Sequence, residues 1–514
     1  MKIQSLKHSF ILLGFVLLKF ILQYSLISPE YDLQRDEYLH LNMAHHLAWG
    51  YVSVPPVTSW ISYIIGLLGN SVFWVKFFPA LFGALTIIFV WKTVEALNGN
   101  VFALVLSATC VLFSAVLRLN VLFQPNSLDL LCWMAFYYVV IRYFQSEQLK
   151  WLYYGALVFA IGFLNKYNIA FLVAGLLPAV LVTPQRNVFF NRHFYFACLL
   201  ALLLISPNLA WQYNNGFPVI HHLQELSSRQ LVHVERATFL KNQLLFFTGA
   251  IFVIPAALYA LLVYPAFKKY KAFFWALPFT LFIFTYLKAK DYYAMGLYPV
   301  YIAFGSVYLA QVLHKGWKRF LQPVLIALPV LFFMLMFKIA FPNKSPDYIV
   351  NHSRVHKKLG LLHWEDGKDH ALPQDFADML GWKELAVKVD SVFSALPHPD
   401  ETLVLCDNYG QAGAVNYYKT NPKLIASSFN ADYINWLRYD KKITDVILVK
   451  EEKYDDDKER KTEIPLVDTV YLADRRVNQY AIEDTISIYV LRGAKIDVNK
   501  RIKEEADRKK SGKE

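Results

Sequence analysis

A chain of 514 residues that is 56% hydrophobic and 16% aromatic, with a mean hydropathy of +0.31, is too apolar for an ordinary soluble enzyme. Its net charge of +12 does not argue for a nucleic-acid partner, because many lysines and arginines fall in short gaps between apolar runs, where they set membrane orientation. The four cysteines, Cys110, Cys132, Cys198 and Cys406, lack metal-ligand spacing and argue against a zinc site or a disulfide framework.

In chain order, apolar runs of spanning or near-spanning length are predicted at 9–27, 71–94, 101–117, 128–144, 151–164, 169–183, 194–211, 243–264, 273–287, 294–313 and 321–341. The expectation is a polytopic α-helical membrane protein of about eleven transmembrane helices over 1–341, with a first outer loop at 28–70 and a soluble α/β domain at 342–514. No small-x-small cleavage signal follows Leu26, so the first run reads as a signal anchor. Lys19 within it faces the bundle or snorkels, and a packing role is favoured.

A cytoplasmic N-terminus with Lys2 and Lys7 puts the basic gaps 142–150, 186–192, 268–271 and 315–319 on that same side, as the positive-inside rule requires. The outer side then receives 28–70, 118–127, the turn at Lys166, 213–242, 288–293 and everything after Phe341. Trp49, Trp60, Trp74, Trp151 and Trp211 lie in or beside segment ends, as headgroup-level anchors would.

The first outer loop carries an acidic pair, Asp36 and Glu37, at the mouth of the bundle, where carboxylates suggest chemistry at the bilayer surface. Leu39, Met43 and Leu47 recur every four residues and form a stripe suited to a helix lying in the interface, until Pro55 and Pro56 break it. A plainer account makes Asp36 the N-cap of that helix, with Glu37 favouring its positive end. His40, His45 and His46, like His221 and His222, lack the i, i+4 spacing of a metal pair and read as interfacial polar residues.

In the tail, "TLVLCD", "DVILVK" and "TISIYVLRG" read as strands, and 378–396 as an amphipathic stretch. The "DNYGQAGAVNYY" segment reads as strand, glycine turn and helix start, a weak anion-site pattern and more simply a structural turn. The charge-rich stretches 450–463 and 499–514 read as a solvated loop and a disordered end.

The stretch "RDEYLHLNMAHHLAWGYVSVPPVTSW" resembles the first extracytoplasmic loop of GT-C glycosyltransferases of family 39 type, and the resemblance continues through "FLNKYN", "SPNLAWQYNNGFPVIHHL" and "KDYYAMGLYP". That group includes protein O-mannosyltransferases, the aminoarabinose transferases that modify lipid A, and related transferases of rhizobial lipopolysaccharide cores. The resemblance implies a multi-pass protein of the bacterial inner membrane and a sugar donor on polyprenyl phosphate. It further implies a lipid, glycan or protein acceptor in the cell envelope, and transfer on the outer face with inversion.

An attacking hydroxyl then needs a carboxylate to take its proton; Asp36 is expected as that base, with Glu37 orienting it or the sugar. The leaving phosphate needs fixed cations, for which Arg118, Lys166, Lys288 and Lys290 are candidates, Lys166 foremost because "NKY" matches a basic position of the family. Tyr167, Tyr292 and Tyr293 are the accompanying candidates for sugar or phosphate oxygens. The "QPNSLDLL" segment departs from the family, placing Asn126 where an acid is usual and Asp129 three residues later. A divalent cation between donor phosphate and a carboxylate is compatible with such a site, but nothing in the sequence identifies one. The competing class is a transporter or flippase for lipid-linked or small solutes. It fits less well because the acids cluster in outer loops and no inverted repeat is visible. A receptor whose tail binds ligand would leave the outer-loop charges unexplained.

Overall fold

The computed structural model describes residues 2–229 and 231–510. Two compact units emerge from the chain: Met1–Ile27, Val54–Thr58 and Phe73–Asn343 form one, while Ser28–Ser53, Ser59–Val72 and Lys344–Glu514 form the other. Most of the first outer loop groups with the tail, because its polar and aromatic side chains find partners there.

The first unit is helical. Six described helices are long and apolar enough to cross a membrane, or up to seven if the bent pair Ile169–Leu181 and Pro184–Phe190 counts as one span. A helix stands at each of the eleven expected segments, but several are short: Val101–Leu112 has 12 residues and Val253–Val263 has 11, so length alone does not give eleven crossings. Run 243–264 is broken by a 3-10 turn at Thr248–Ala250 between Arg236–Phe246 and Val253–Val263. Lys19 is buried and donates to Gln23 one turn on, which favours the bundle-facing reading over snorkelling. Gly83 makes room for it, since a Cβ there would collide with Lys19 and Asn120.

The second unit contains a five-stranded sheet of order β2-β1-β3-β5-β4, with β1 Thr402–Cys406, β2 Ala426–Ser428, β3 Asp445–Glu451, β4 Val467–Val477 and β5 Thr485–Ala494. β1 is parallel to β2 and β3; β5 is antiparallel to β3 and β4, with an irregularity between Leu472 and Asp474. The three expected strands are β1, β3 and β5, and the expected amphipathic stretch holds the helix Trp382–Ser394, whose Trp382, Leu385, Ala386, Val389 and Phe393 are buried.

Two tail expectations change. Residues 499–510, expected as disordered, lie in the helix Val498–Lys510, because Ile502 and Ala506, one turn apart, give it a buried edge; 511–514 lie outside the described residues. The charged stretch 450–463 is not wholly solvated, since Arg460 and Asp455 are both buried as an ion pair.

Leu39 and Met43 of the expected interfacial stripe are buried, and Leu47 is exposed. The outward apolar stripe belongs instead to the helix Val57–Leu67, where Trp60, Tyr63, Ile64 and Leu67 are exposed while Ser59, Ser62 and Ile65 are buried.

Candidate active site

In the first unit, four consecutive residues make the turn between the helices Lys150–Asn165 and Ile169–Leu181. Lys166 leaves helical geometry, with an extended backbone that turns four polar side chains in different directions. Asn165 Nδ2 donates to the Pro125 carbonyl at 2.8 Å, and Lys166 Nζ donates to Asn126 Oδ1 at 2.6 Å. The Tyr167 hydroxyl donates to Asn208 Oδ1 at 3.1 Å and accepts from Gln212 Nε2 at 3.0 Å. Asn168 Nδ2 donates to Asp129 Oδ2 at 2.8 Å and to the Tyr293 carbonyl at 2.9 Å. Asp129 also accepts from Trp133 Nε1 at 3.0 Å.

The Lys166 ammonium lies 3.9 Å from the centroid of the Tyr293 ring and 5.5 Å from that of Tyr292. Those tyrosines sit in the 3-10 helix Asp291–Leu297, whose Asp291 accepts from Asn242 Nδ2 at 2.7 Å. Lys166, Tyr292 and Tyr293 are therefore brought together, with a neutral amide, Asn126, as a hydrogen-bond partner of the lysine. Tyr167 is directed to Asn208 and Gln212. Arg118 lies in the last turn of the helix Ala115–Leu119, while Lys288, in a left-handed backbone conformation with φ +51°, and Lys290 precede the tyrosine turn.

Asp36 and Glu37 belong to the second unit, in the helix Arg35–Asn42. Its N-cap is Gln34, not Asp36: Gln34 Oε1 accepts from the Asp36 N–H at 3.0 Å, and Glu37 Oε2 accepts from the Gln34 N–H at 2.9 Å. That reciprocal pair is a capping box, and it gives Glu37, 0% exposed, a structural task. Asp36, one residue nearer the cap, turns its carboxylate elsewhere: Oδ1 accepts the Tyr409 hydroxyl at 2.7 Å.

Tyr409 opens the helix Tyr409–Tyr418 of the tail. Asn408 caps that helix, its Oδ1 accepting from the N–H groups of Gly410 at 2.9 Å and Gln411 at 3.2 Å. Glu483, buried, takes Asn408 Nδ2 and Gln411 Nε2, each at 2.7 Å, so the anion beside this helix start is the chain's own carboxylate. Gly410 and Gly413 let the loop helix come close, since a Cβ at 413 would stand 2.7 Å from that of Tyr38. Tyr38 in turn packs its ring edge-on to Trp382 and Tyr418.

Beside Asp36, the Arg35 guanidinium pairs with the buried Asp378 at 3.3 Å and lies 5.8 Å from the centroid of the Tyr409 ring, while Gln34 Nε2 also donates to Asp378. Burial works against the charge of Arg35, but Asp378, Tyr409 and Asp36 outweigh it and hold its pKa well above the usual value. Burial, reinforced by Asp36, pushes the Tyr409 hydroxyl well above the usual tyrosine range, so it stays a proton donor. His40, treated as an interfacial residue in the sequence, is buried in this unit, and burial lowers its pKa. Among the described residues no group of three or more His, Cys, Asp or Glu side chains could hold a metal ion.

Sequence reasoning missed Tyr409, Arg35 and Asp378, which lie hundreds of positions from their partners or sit beside a more conspicuous pair. The partners of Lys166 left a signal that was only partly used: four polar residues, "NKYN", between two apolar helices.

The sequence model of the dolichyl-phosphate-mannose-protein mannosyltransferase family matches residues 53–211. No curated protein matches the chain significantly. The fold is similar to that of apo ArnT from Cupriavidus metallidurans, with a TM-score of 0.65 and 13% identity over 94% of this chain and 98% of that one. ArnT of the same organism bound to undecaprenyl phosphate matches with a TM-score of 0.57 and 12% identity, covering 93% of this chain and 97% of that one. The protein thus has an ArnT-like helical fold with a C-terminal sheet-containing domain, in keeping with the resemblance carried by its loop motifs. It is a multi-pass membrane protein.

Proposed function

We propose that this protein is a glycosyltransferase that moves a sugar from a polyprenyl-phosphate donor to a lipid, glycan or protein acceptor on the outer face of the bacterial inner membrane. The reading is carried by one observation, the nearly full-length match to the fold of ArnT, which has been seen with undecaprenyl phosphate bound. The Lys166 turn supports it chemically. The Lys166 ammonium, seated on Tyr293 and hydrogen-bonded to a neutral amide, is the kind of fixed cation that a site for a lipid phosphate requires.

In the reaction, an acceptor hydroxyl oxygen bonds to the anomeric carbon from the face opposite the phosphate. The carbon–oxygen bond to phosphate breaks with its electron pair, and inversion follows. Asp36 receives the hydroxyl proton, a contribution of about 10² to 10⁴ in rate. Lys166, with Arg118, Lys288 and Lys290 as further candidate cations, meets the charge that grows on the departing phosphate. Glu37, which accepts the Gln34 N–H, orients Asp36 by shaping the helix that carries it.

The test is Asp36→Asn in a deletion strain whose missing glycan or lipid has been identified by mass spectrometry. Asparagine keeps an oxygen that can accept the Tyr409 hydroxyl but cannot take a proton at neutral pH. The variant is expected to be made and inserted at normal levels while transfer falls by about 10²-fold or more. Full transfer would reduce Asp36 to a tie between loop and tail, or indicate an acceptor that attacks through an already ionised phosphate.

A further inference from the structure

Asp36 is held by the tail, and this has a chemical meaning that rests on the reading of Asp36 as the base. We infer that Tyr409 is a positioning residue for the Asp36 carboxylate, so that the C-terminal domain supplies part of the catalytic apparatus of the loop.

The geometry that supports this is over-determined. The Tyr409 hydroxyl donates to Asp36 Oδ1 at 2.7 Å, and its own position is fixed because it is the first residue of a helix capped by Asn408 and braced by Glu483. A hydroxyl and a carboxylate joined in this way lose most of their rotational freedom together. A base aligned before the acceptor arrives spends less of the barrier on orientation.

The charged and titratable groups that act on Asp36 or Tyr409 are Arg35, Glu37 and His40 on the loop helix, and Asp378 and Glu483 from the tail. Arg35 and Asp378 are paired with each other, and Glu37 is bound to the Gln34 N–H. The hydroxyl of Tyr409 is thus a directional neutral donor set among groups already paired, and it is carried by a segment 373 positions from Asp36.

Tyr409→Phe removes only this hydroxyl. The experiment uses the full-length protein in its own deletion strain. Transfer to the acceptor that the deletion strain leaves unmodified is followed in membranes over a range of added acceptor, and folded protein is checked by thermal unfolding after detergent extraction. Tyr409→Phe is expected to fold and to slow transfer by about 10- to 100-fold. The loss should fall on kcat with the KM for the acceptor little changed, because a misaligned base raises the barrier of the chemical step and not the cost of binding.

Wild-type kcat and KM for Tyr409→Phe, alongside an inactive Asp36→Asn, would overturn the positioning role and leave the base intact. A fall in rate matched by the loss of folded protein, with the kcat per folded molecule unchanged, would overturn it too, by showing a structural tie only. An active Asp36→Asn would instead remove the base reading on which the inference stands.

Discussion

Asn165, Lys166, Tyr167 and Asn168 are neighbours in the chain that reach different partners within the helical unit, whereas Gln34, Arg35 and Asp36 draw on tail residues 343 to 373 positions away. One centre is a local turn whose polar residues are conspicuous between two apolar helices. The other is assembled from distant segments, and its loop becomes part of an α/β domain. A candidate phosphate site can therefore be recognised from a short motif, while a candidate base can be noticed without its support being visible.

Three substitutions break or sharpen that contrast. Lys166→Gln keeps a polar side chain that can bond Asn126 but removes the cation, so transfer should fall by about 10² to 10³ in rate, as when one preorganised oxyanion donor is lost. Thermal unfolding of the extracted protein should move only modestly, because a half-buried cation–π contact contributes about 1–2 kcal/mol. Unchanged transfer would make the turn a scaffold alone.

Gly413→Val attacks the other centre through packing. The added side chain starts 2.7 Å from the Cβ of Tyr38 and 3.2 Å from its carbonyl carbon, and such overpacking typically costs about 1–3 kcal/mol. The loop should become sensitive to protease before the membrane helices unfold; equal resistance to wild type would mean that the loop helix does not depend on this close approach.

The smallest effect concerns pH. Asp432 accepts the Val52 N–H at 2.8 Å, and burial raises its carboxyl from 3.8 to about 7. An acid whose pKa is higher in the folded state stabilises that state fully below its unfolded pKa, and the contribution is lost as pH rises through the folded value. Unfolding temperature should therefore decline between about pH 4 and pH 7, and Asp432→Asn should make that decline shallower. Asp378, raised by burial to about 7, and Glu451, raised to about 8, contribute to what remains. An unaltered slope would show that Asp432 does not carry this linkage.

Much of the architecture was legible because apolar length and alternation are local signals. Each expected apolar run contains a helix, and the three hydrophobic strands stand where their residues alternate or cluster. β2 was not legible, being three residues long, nor was β4, whose charged and exposed positions resemble a loop. The final helix was missed because its buried edge is only Ile502 and Ala506 amid charges. At the candidate site, Lys166 and the tyrosine pair could be read from motifs. The N-cap was misassigned because Gln34 is a less conspicuous cap than aspartate. Tyr409 had no local signal at all, since its importance comes from a tertiary contact with Asp36.

The bond from Gln34 to Asp378 also sets a timetable for biosynthesis. A ribosome adding about 5–20 residues per second needs roughly 20–70 s to travel the 344 positions between them. For that interval the nascent loop has been made but its partner has not, so Gln34, Asp36 and Tyr38 wait without the tail residues they contact. Quality-control proteases on that side of the membrane would meet the loop unfinished, and truncation before Tyr409 would leave it permanently so.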